Sequence, residues 1–269
     1  MSSVLKRSGV LWTVALVVTL ASAYYQRTTG PTYPLKGAVS LGGETIRYRL
    51  ERSHGGATDQ LVRVQVPGAA VSGEVRWRRY PTNDPWNRLG MRREGEMLVA
   101  ALPNQPAAGK LEYQVALARG NDTAVFPQQP AVTRFKGEVS PWVLAPHVLA
   151  MFAFMLLSTR AGLAALSGAD VARLTRWAFW MLMIGGFVLG PLMQKQAFNE
   201  WWAGVPYGWD LTDNKTLLAA VFWVIAFWQV GRGAGRGRAA VVVAALATLV
   251  VFAIPHSAWG SEINWQTRR

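Results

Sequence analysis

Histidine and cysteine bound the chemistry open to this chain. It carries three histidines, His54, His147 and His256, and no cysteine. Disulfides, thiolate metal sites, iron–sulfur clusters and covalently attached c-type haem are therefore excluded. Two neutral imidazoles from different segments can still bind a b-type haem axially, or hold copper or zinc together with a carboxylate. His147 lies inside an apolar run, and His256 follows Pro255 at the end of another. Between them comes segment 194–215, dense in tryptophan, carboxylate and glycine. The candidate haem contacts are His147, His256, Trp201, Trp202, Trp209 and Asp210. The candidate ligands of a copper or zinc ion are His147, His256, Glu200 and Asp213.

Each of these residues also has a structural reading. Trp201, Trp202, Trp209, Trp259 and Trp265 suit an aromatic belt at a membrane–water interface. Asp213 suits the N-cap of the following helix, where negative charge is favoured. Glu200 can pair with Lys195. His147 can be a packing residue, although an ionisable side chain within a membrane span is by default a functional candidate. His256-Ser257 reads as a helix terminus. His54, in Ser53-His54-Gly55-Gly56, reads as an exposed turn residue.

The elements that would position these groups follow from hydropathy. Of 269 residues, 51% are hydrophobic and only 16% charged, against about 25% charged in soluble domains. Apolar residues collect in runs near 9–24, 142–158, 177–193, 216–230 and 239–255. This pattern excludes an ordinary soluble enzyme, a disordered chain and a fibrous repeat. It predicts spans over Val10–Ala23, Trp142–Leu157, Trp177–Met193, Thr216–Val230 and Ala239–Ile254, extended at their ends by flanking Trp, Asn and Thr. The formal net charge is +13. Lys6, Arg7, Arg160, Arg173, Arg176, Arg232, Arg236 and Arg238 flank alternate ends of the runs, as positive-inside charges do. The predicted topology is N-terminus in, C-terminus out. The 159–176 and 231–238 loops are inside, and loop 194–214 and tail 256–269 are outside. The first run reads as an anchor, or as a signal peptide cleaved after Ala21-Ser22-Ala23. Gly185-Gly186 and Gly190 read as close-packing sites between helices.

Residues 31–138 differ in kind. Apolar and polar residues alternate at Ile46–Leu50, Val62–Val66, Val75–Arg78 and Leu111–Leu117, the period of half-buried antiparallel strands. Further strands are expected near 36–41, 96–102, 122–126 and 131–136, separated by Gly, Pro and Asn-Asp turns. The expected fold is thus a membrane α-helical bundle of about five transmembrane helices plus an all-β immunoglobulin or fibronectin-III-like sandwich. The stretch Pro106–Tyr113 resembles the tyrosine-corner region of such sandwiches. The predicted domains are 1–27 (anchor or signal peptide), 31–138 (sandwich), 141–257 (four-helix membrane domain) and 258–269 (extracytoplasmic tail). Arg47, Arg49, Arg63, Arg76, Arg78, Arg79, Arg92 and Arg93 form either solvated strand faces or a contact for an acidic partner. The Tyr80–Trp86 segment reads as the tip of the sandwich.

No phosphate-binding loop, nucleophile elbow, H-E-x-x-H or dinucleotide fingerprint occurs. The Gly-Arg run 231–238 reads as a flexible basic loop facing anionic lipid. The segments Arg79–Trp86, Trp209–Thr216 and Ile254–Ser257 resemble a group of uncharacterised bacterial inner-membrane proteins. That resemblance implies architecture and carries no activity. His147, the loop Glu200–Asp210 with its Trp-Trp and Trp-Asp pairs, and His256 resemble the tryptophan-rich haem-handling membrane proteins of cytochrome c assembly. Val205-Pro206-Tyr207-Gly208 departs from that pattern. The expected function is that of a non-enzymatic inner-membrane protein. It would present its extracytoplasmic domain to a protein partner, as an accessory or assembly subunit of a membrane complex. The alternatives are haem or metal handling, and a small transporter or membrane enzyme. Its surroundings are the lipid bilayer, and nucleic acid is not expected as a partner.

Overall fold

The architecture comes from a computed structural model that describes residues 2–233, 235–255, 263 and 265. Contacts divide the chain into two units. The first joins the N-terminal 31 residues to residues 139–261 and is helical. The second takes in residues 32–138 with Ile263 and Trp265, and its secondary structure is strands.

Among the described residues the first unit has five helices: α1 (Ser2–Thr29), α2 (Pro141–Leu166), α3 (Ala172–Phe198), α4 (Leu211–Gly231) and α5 (Arg238–Ala253). Four of them are long and apolar enough to cross a membrane, α1 over Ser8–Thr29. Helix α5 has 16 residues, about 24 Å of rise. It falls short of the ~20 residues a span needs.

The apolar run predicts the second helix over Trp142–Leu157, but α2 continues to Leu166. Ser158, Thr159 and Arg160 end the apolar run without ending the helix, because all three are buried against neighbours. The expected 159–176 loop therefore shrinks to the residues between Leu166 and Ala172. Arg173 and Arg176 lie on α3.

Small residues let the helices approach closely. A Cβ added at Gly162 would lie 2.7 Å from the Ala245 Cβ of α5. One at Gly185 would meet Met151 Sδ at 2.7 Å, and one at Gly186 would meet Thr216 Cγ2 at 2.7 Å. Gly185 and Gly186 thus seat α3 on α2 and on α4, the close-packing role their sequence suggested, and Gly162 does the same between α2 and α5. Trp223 is fully buried at the centre, edge-on to Phe154, and its indole N–H donates to Thr248 Oγ1 at 2.9 Å.

The contacts run the helices alternately up and down. At one end Arg160 reaches Ser8 Oγ and lies over the Trp12 ring, while Arg238 donates to Gly168 O at 2.7 Å. At the other end Gln26 of α1 meets the last turn of α5, and Ser140 meets Gln196.

Among the described residues the second unit has ten strands: β1 (Leu35–Leu41), β2 (Glu44–Leu50), β3 (Ser53–Gly55), β4 (Gln60–Gln65), β5 (Ser72–Arg79), β6 (Asn87–Gly90), β7 (Arg92–Glu94), β8 (Met97–Leu102), β9 (Lys110–Arg119) and β10 (Asp122–Lys136). They pair as β1-β2, β3-β10-β9-β5-β6 and β4-β8-β7. All three sheets contribute to one apolar core that includes Leu50, Val64, Val66, Leu102, Leu111, Tyr113 and Phe135. Strand β4 buries Val62 and Val64 and exposes Leu61 and Arg63, as period two requires.

Several expectations are corrected here. The strands expected at 122–126 and 131–136 are one strand, β10, with a register shift between Phe126 and Ala131. Pro127 and Pro130 within that shift cannot donate to a ladder. His54 is not a free turn residue: β3 pairs in parallel with β10, and the ring packs edge-on to Phe135. Tyr113 does not make a tyrosine corner, because its hydroxyl donates to Glu51 O, 62 residues upstream, at 2.7 Å. That carbonyl also accepts from Gln60 Nε2, and Thr133 Oγ1 donates to Gln60 Oε1. Burial pushes the Tyr113 hydroxyl well above the usual tyrosine range, so it remains a donor within this buried network. Trp265 donates to Tyr80 O at 3.2 Å and lies under the Arg79 guanidinium, in the strand unit.

Candidate functional site: an ordered aromatic loop and a histidine-lined cavity

Helix α4 begins at Asp210. Its carboxylate accepts from the backbone N–H of Thr212 at 2.8 Å and of Asp213 at 3.3 Å. Asp210 is thus the N-cap, and the expectation that placed Asp213 there is corrected. A cap must stand before the first helical turn, and Asp213 is already inside it.

From there Asp213 reaches back across the loop. Its Oδ2 accepts from Ala203 N at 2.6 Å and Gly204 N at 3.1 Å, and Gln194 adds a side-chain bond. Asn214 Oδ1 accepts from Val205 N at 2.8 Å. The first turn of α4 therefore organises the backbone of residues 203–205.

The loop closes on itself as well. Gly204 O accepts from Tyr207 N and Gly208 N, and Asp210 N donates to Ala203 O. Glycine is required at 208, because an added Cβ would lie 2.5 Å from Ala203 O. Gly208→Ala should therefore break the Ala203–Asp210 contact. Amide exchange at Asp210 should accelerate in that variant, whereas Gly231→Ala, in open space, should leave it unchanged.

The result is a compact loop with aromatic rings on its surface. Tyr207 and Trp209 are 83% and 86% exposed, and Trp201 is 56% exposed. Trp202 turns inward, stacking on Phe187 at 5.7 Å and donating to Val205 O. Lys195 does not seek Glu200. Its ammonium donates to Asn199 O and lies 5.9 Å from the Trp201 ring centroid. Glu200 is exposed.

His147 sits elsewhere in the same helical unit. Its Nδ1 lies 2.9 Å from Gly185 O. A carbonyl only accepts, so Nδ1 carries the proton, and in the neutral ring Nε2 presents a lone pair. The carbonyl is available because α3 is locally a π-helix over Met183–Leu189. Pro191 has no N–H and crowds the carbonyl four residues back, which favours such a widened turn. Gly190 N–H bonds to Gly185 O, five residues back, and His147 takes the same oxygen's second lone pair.

The imidazole also lines a cavity of about 130 Å³ among α1, α2 and α5. Ser22 and Gln26 of α1 are its other polar residues; Val148, Met151, Phe152, Met155 and Phe252 make it mostly apolar. Beside it, the last carbonyls of α5 are capped from two helices. Gln26 Nε2 donates to Phe252 O at 2.8 Å and Ile254 O at 3.2 Å, and the buried Lys215 ammonium donates to Ile254 O at 2.6 Å. A cation there complements the negative end of the helix.

The structure thus brings Asp210, Asp213 and Trp202 together around the loop, and leaves Trp201, Trp209 and Glu200 at its surface. It places His147 against the π-turn of α3. His256 and Trp259 lie outside the described residues. Among the described residues no three His, Asp or Glu side chains group as metal ligands. As to fit, His147 has the tautomer and the carbonyl partner typical of a ligating imidazole. The cavity beside it is smaller than the ~300 Å³ at which pockets for drug-sized ligands begin.

Sequence reasoning missed Gln26, Lys215 and Asn214. Lys215 had a signal: an ionisable residue leading into an apolar run. Gln26 and Asn214 had none, because their partners are backbone groups remote in sequence or in a loop. No protein-family model matches the chain, and neither a curated protein nor a solved structure matches it.

Proposed function

We propose that this chain is an integral protein of a bacterial inner membrane. Its helices hold residues 31–138, a sandwich of immunoglobulin or fibronectin type III kind, outside the cytoplasm for a protein partner. One observation carries the reading. Arg160, Arg173, Arg176, Arg232, Arg236 and Arg238 belong to the helix ends gathered around Gly168, whereas the strand unit connects to the C-terminal end of α1 and the N-terminal end of α2. A positive-inside orientation then puts the strands outside.

The first helix serves in this reading as an uncleaved anchor. Ser22 and Ala23 of the cleavage-like triplet line the cavity, and Gln26 caps α5. The exposed rings of Trp201, Tyr207 and Trp209 suit the outer interface.

The strand arginines bear on the partner. Arg49, Arg76, Arg78, Arg79, Arg92 and Arg119 are each paired with a carboxylate of the same domain. These pairs add little stability, and each offsets its own arginine as a draw for an acidic partner. The segment 80–86, where Trp86 lies under Arg78 and Arg79 reaches Asp84, is the better contact.

The absence of native cysteine allows a direct test of the placement. Single cysteines at Ala57 and Gly231, both exposed, should behave oppositely toward a membrane-impermeant maleimide. In intact spheroplasts Ala57→Cys should label and Gly231→Cys should not. After permeabilisation both should label. The reverse pattern would overturn the orientation, and equal labelling before permeabilisation would overturn the membrane-spanning arrangement.

A further inference from the structure

We propose that the cavity among α1, α2 and α5 binds the hydroxylated ring of a bilayer-borne amphiphile, a quinol or phenolic lipid, with His147 Nε2 accepting the hydroxyl proton. Size limits the ligand first. An apolar cavity of about 150 Å³ holds a benzene molecule, so about 130 Å³ suits one six-membered ring.

Polarity limits it further. Gly185 O holds the His147 proton on Nδ1, which leaves Nε2 an acceptor. The amide nitrogen of Gln26 is engaged by Phe252 O and Ile254 O, which leaves its Oε1 as an acceptor. The histidine and the glutamine both offer acceptors, and Ser22 is the one lining side chain with a hydroxyl that can donate as well as accept, so the cavity favours a ligand that donates. A hydroxyl does so; a quinone carbonyl or an ether does not.

Access and depth are consistent with entry from lipid. Val148 and Phe152 line the cavity and are 40% and 42% exposed on the helix surface. His147 stands six residues into α2, roughly 9 Å along the axis. Gln26 lies within the last turn of α1. A ring here would carry its hydroxyl near the end of the bundle, while any chain leaves through the Val148–Phe152 rim into the acyl region.

The test uses a stable matched pair, 4-hexylphenol and its methyl ether, titrated calorimetrically into the full-length protein in detergent. The phenol should bind at least tenfold more tightly than the ether. His147→Phe should erase that preference. Ala23→Phe leaves the His147–Gly185 bond in place and fills the cavity, so it should abolish binding of both. Equal affinities for phenol and ether in the native protein would overturn donor recognition. Unchanged phenol binding in Ala23→Phe would overturn the location. A Soret band in the purified native protein that is lost in His147→Phe would also overturn it, by giving the imidazole to a haem iron.

Discussion

Asp213→Ala should unlock the aromatic loop while leaving α4 itself largely intact. The carboxylate accepts from two backbone N–H groups, one of them on the buried Gly204. Hydrogen bonds to a charged acceptor contribute about 1.5–3 kcal/mol each, and a buried donor left unpaired costs about 1–3 kcal/mol. Roughly 3 kcal/mol for the local opening corresponds to amide exchange at Ala203 and Gly204 faster by about a hundredfold or more. Asp210→Ala removes the N-cap, worth about 1 kcal/mol, and should raise exchange less than tenfold. Hydrogen-exchange mass spectrometry of peptides covering 199–210 separates the two. An Asp210 effect larger than that of Asp213 would show that capping, not the cross-loop carboxylate, holds the loop. Asp213→Asn keeps an oxygen acceptor without the charge and should fall between them.

Trp223→Ala should be the most damaging substitution in the helical unit. The ring is fully buried, packs edge-on against Phe154 and donates to Thr248. In lipid the helices gain little from the hydrophobic effect, so the loss comes mainly from packing and the void left behind. Large-to-small replacement of tryptophan costs about 3–5 kcal/mol in soluble cores, and a value near 3 is expected here. Trp223→Phe keeps most of the ring contact and loses the hydrogen bond, which averages about 0.6 kcal/mol between membrane helices. Its cost should be near 1 kcal/mol. Unfolding titrations in mixed micelles of increasing dodecyl sulfate content measure both. Equal costs for the two variants would mean that the bond to Thr248, not the packing, carries the contribution.

Much of the architecture was legible along the chain, for identifiable reasons. Long apolar runs announce spans because a bilayer cannot hydrogen-bond a bare backbone. Alternation at 62–66 and 111–117 announces strands because successive side chains face opposite sides of a sheet. Gly185 and Gly186 read as packing sites in an apolar run and are packing sites in the fold. Each of these signals is local, so the linear order of residues was enough to carry it.

What needed the folded chain was every contact between segments. Asp210 and Asp213 are both carboxylates at the start of one helix, and only the path of the preceding loop decides which caps and which crosses to Ala203 and Gly204. Helix α2 runs past its apolar run because Ser158, Thr159 and Arg160 are buried by other helices, which no window on α2 can reveal. The proton on His147 is placed by a carbonyl 38 residues away, exposed through a π-turn. Glu51 O collects Tyr113 and Gln60 from two other strands. A backbone carbonyl looks the same at every position in a sequence. Which donor reaches it depends on distances that only packing defines.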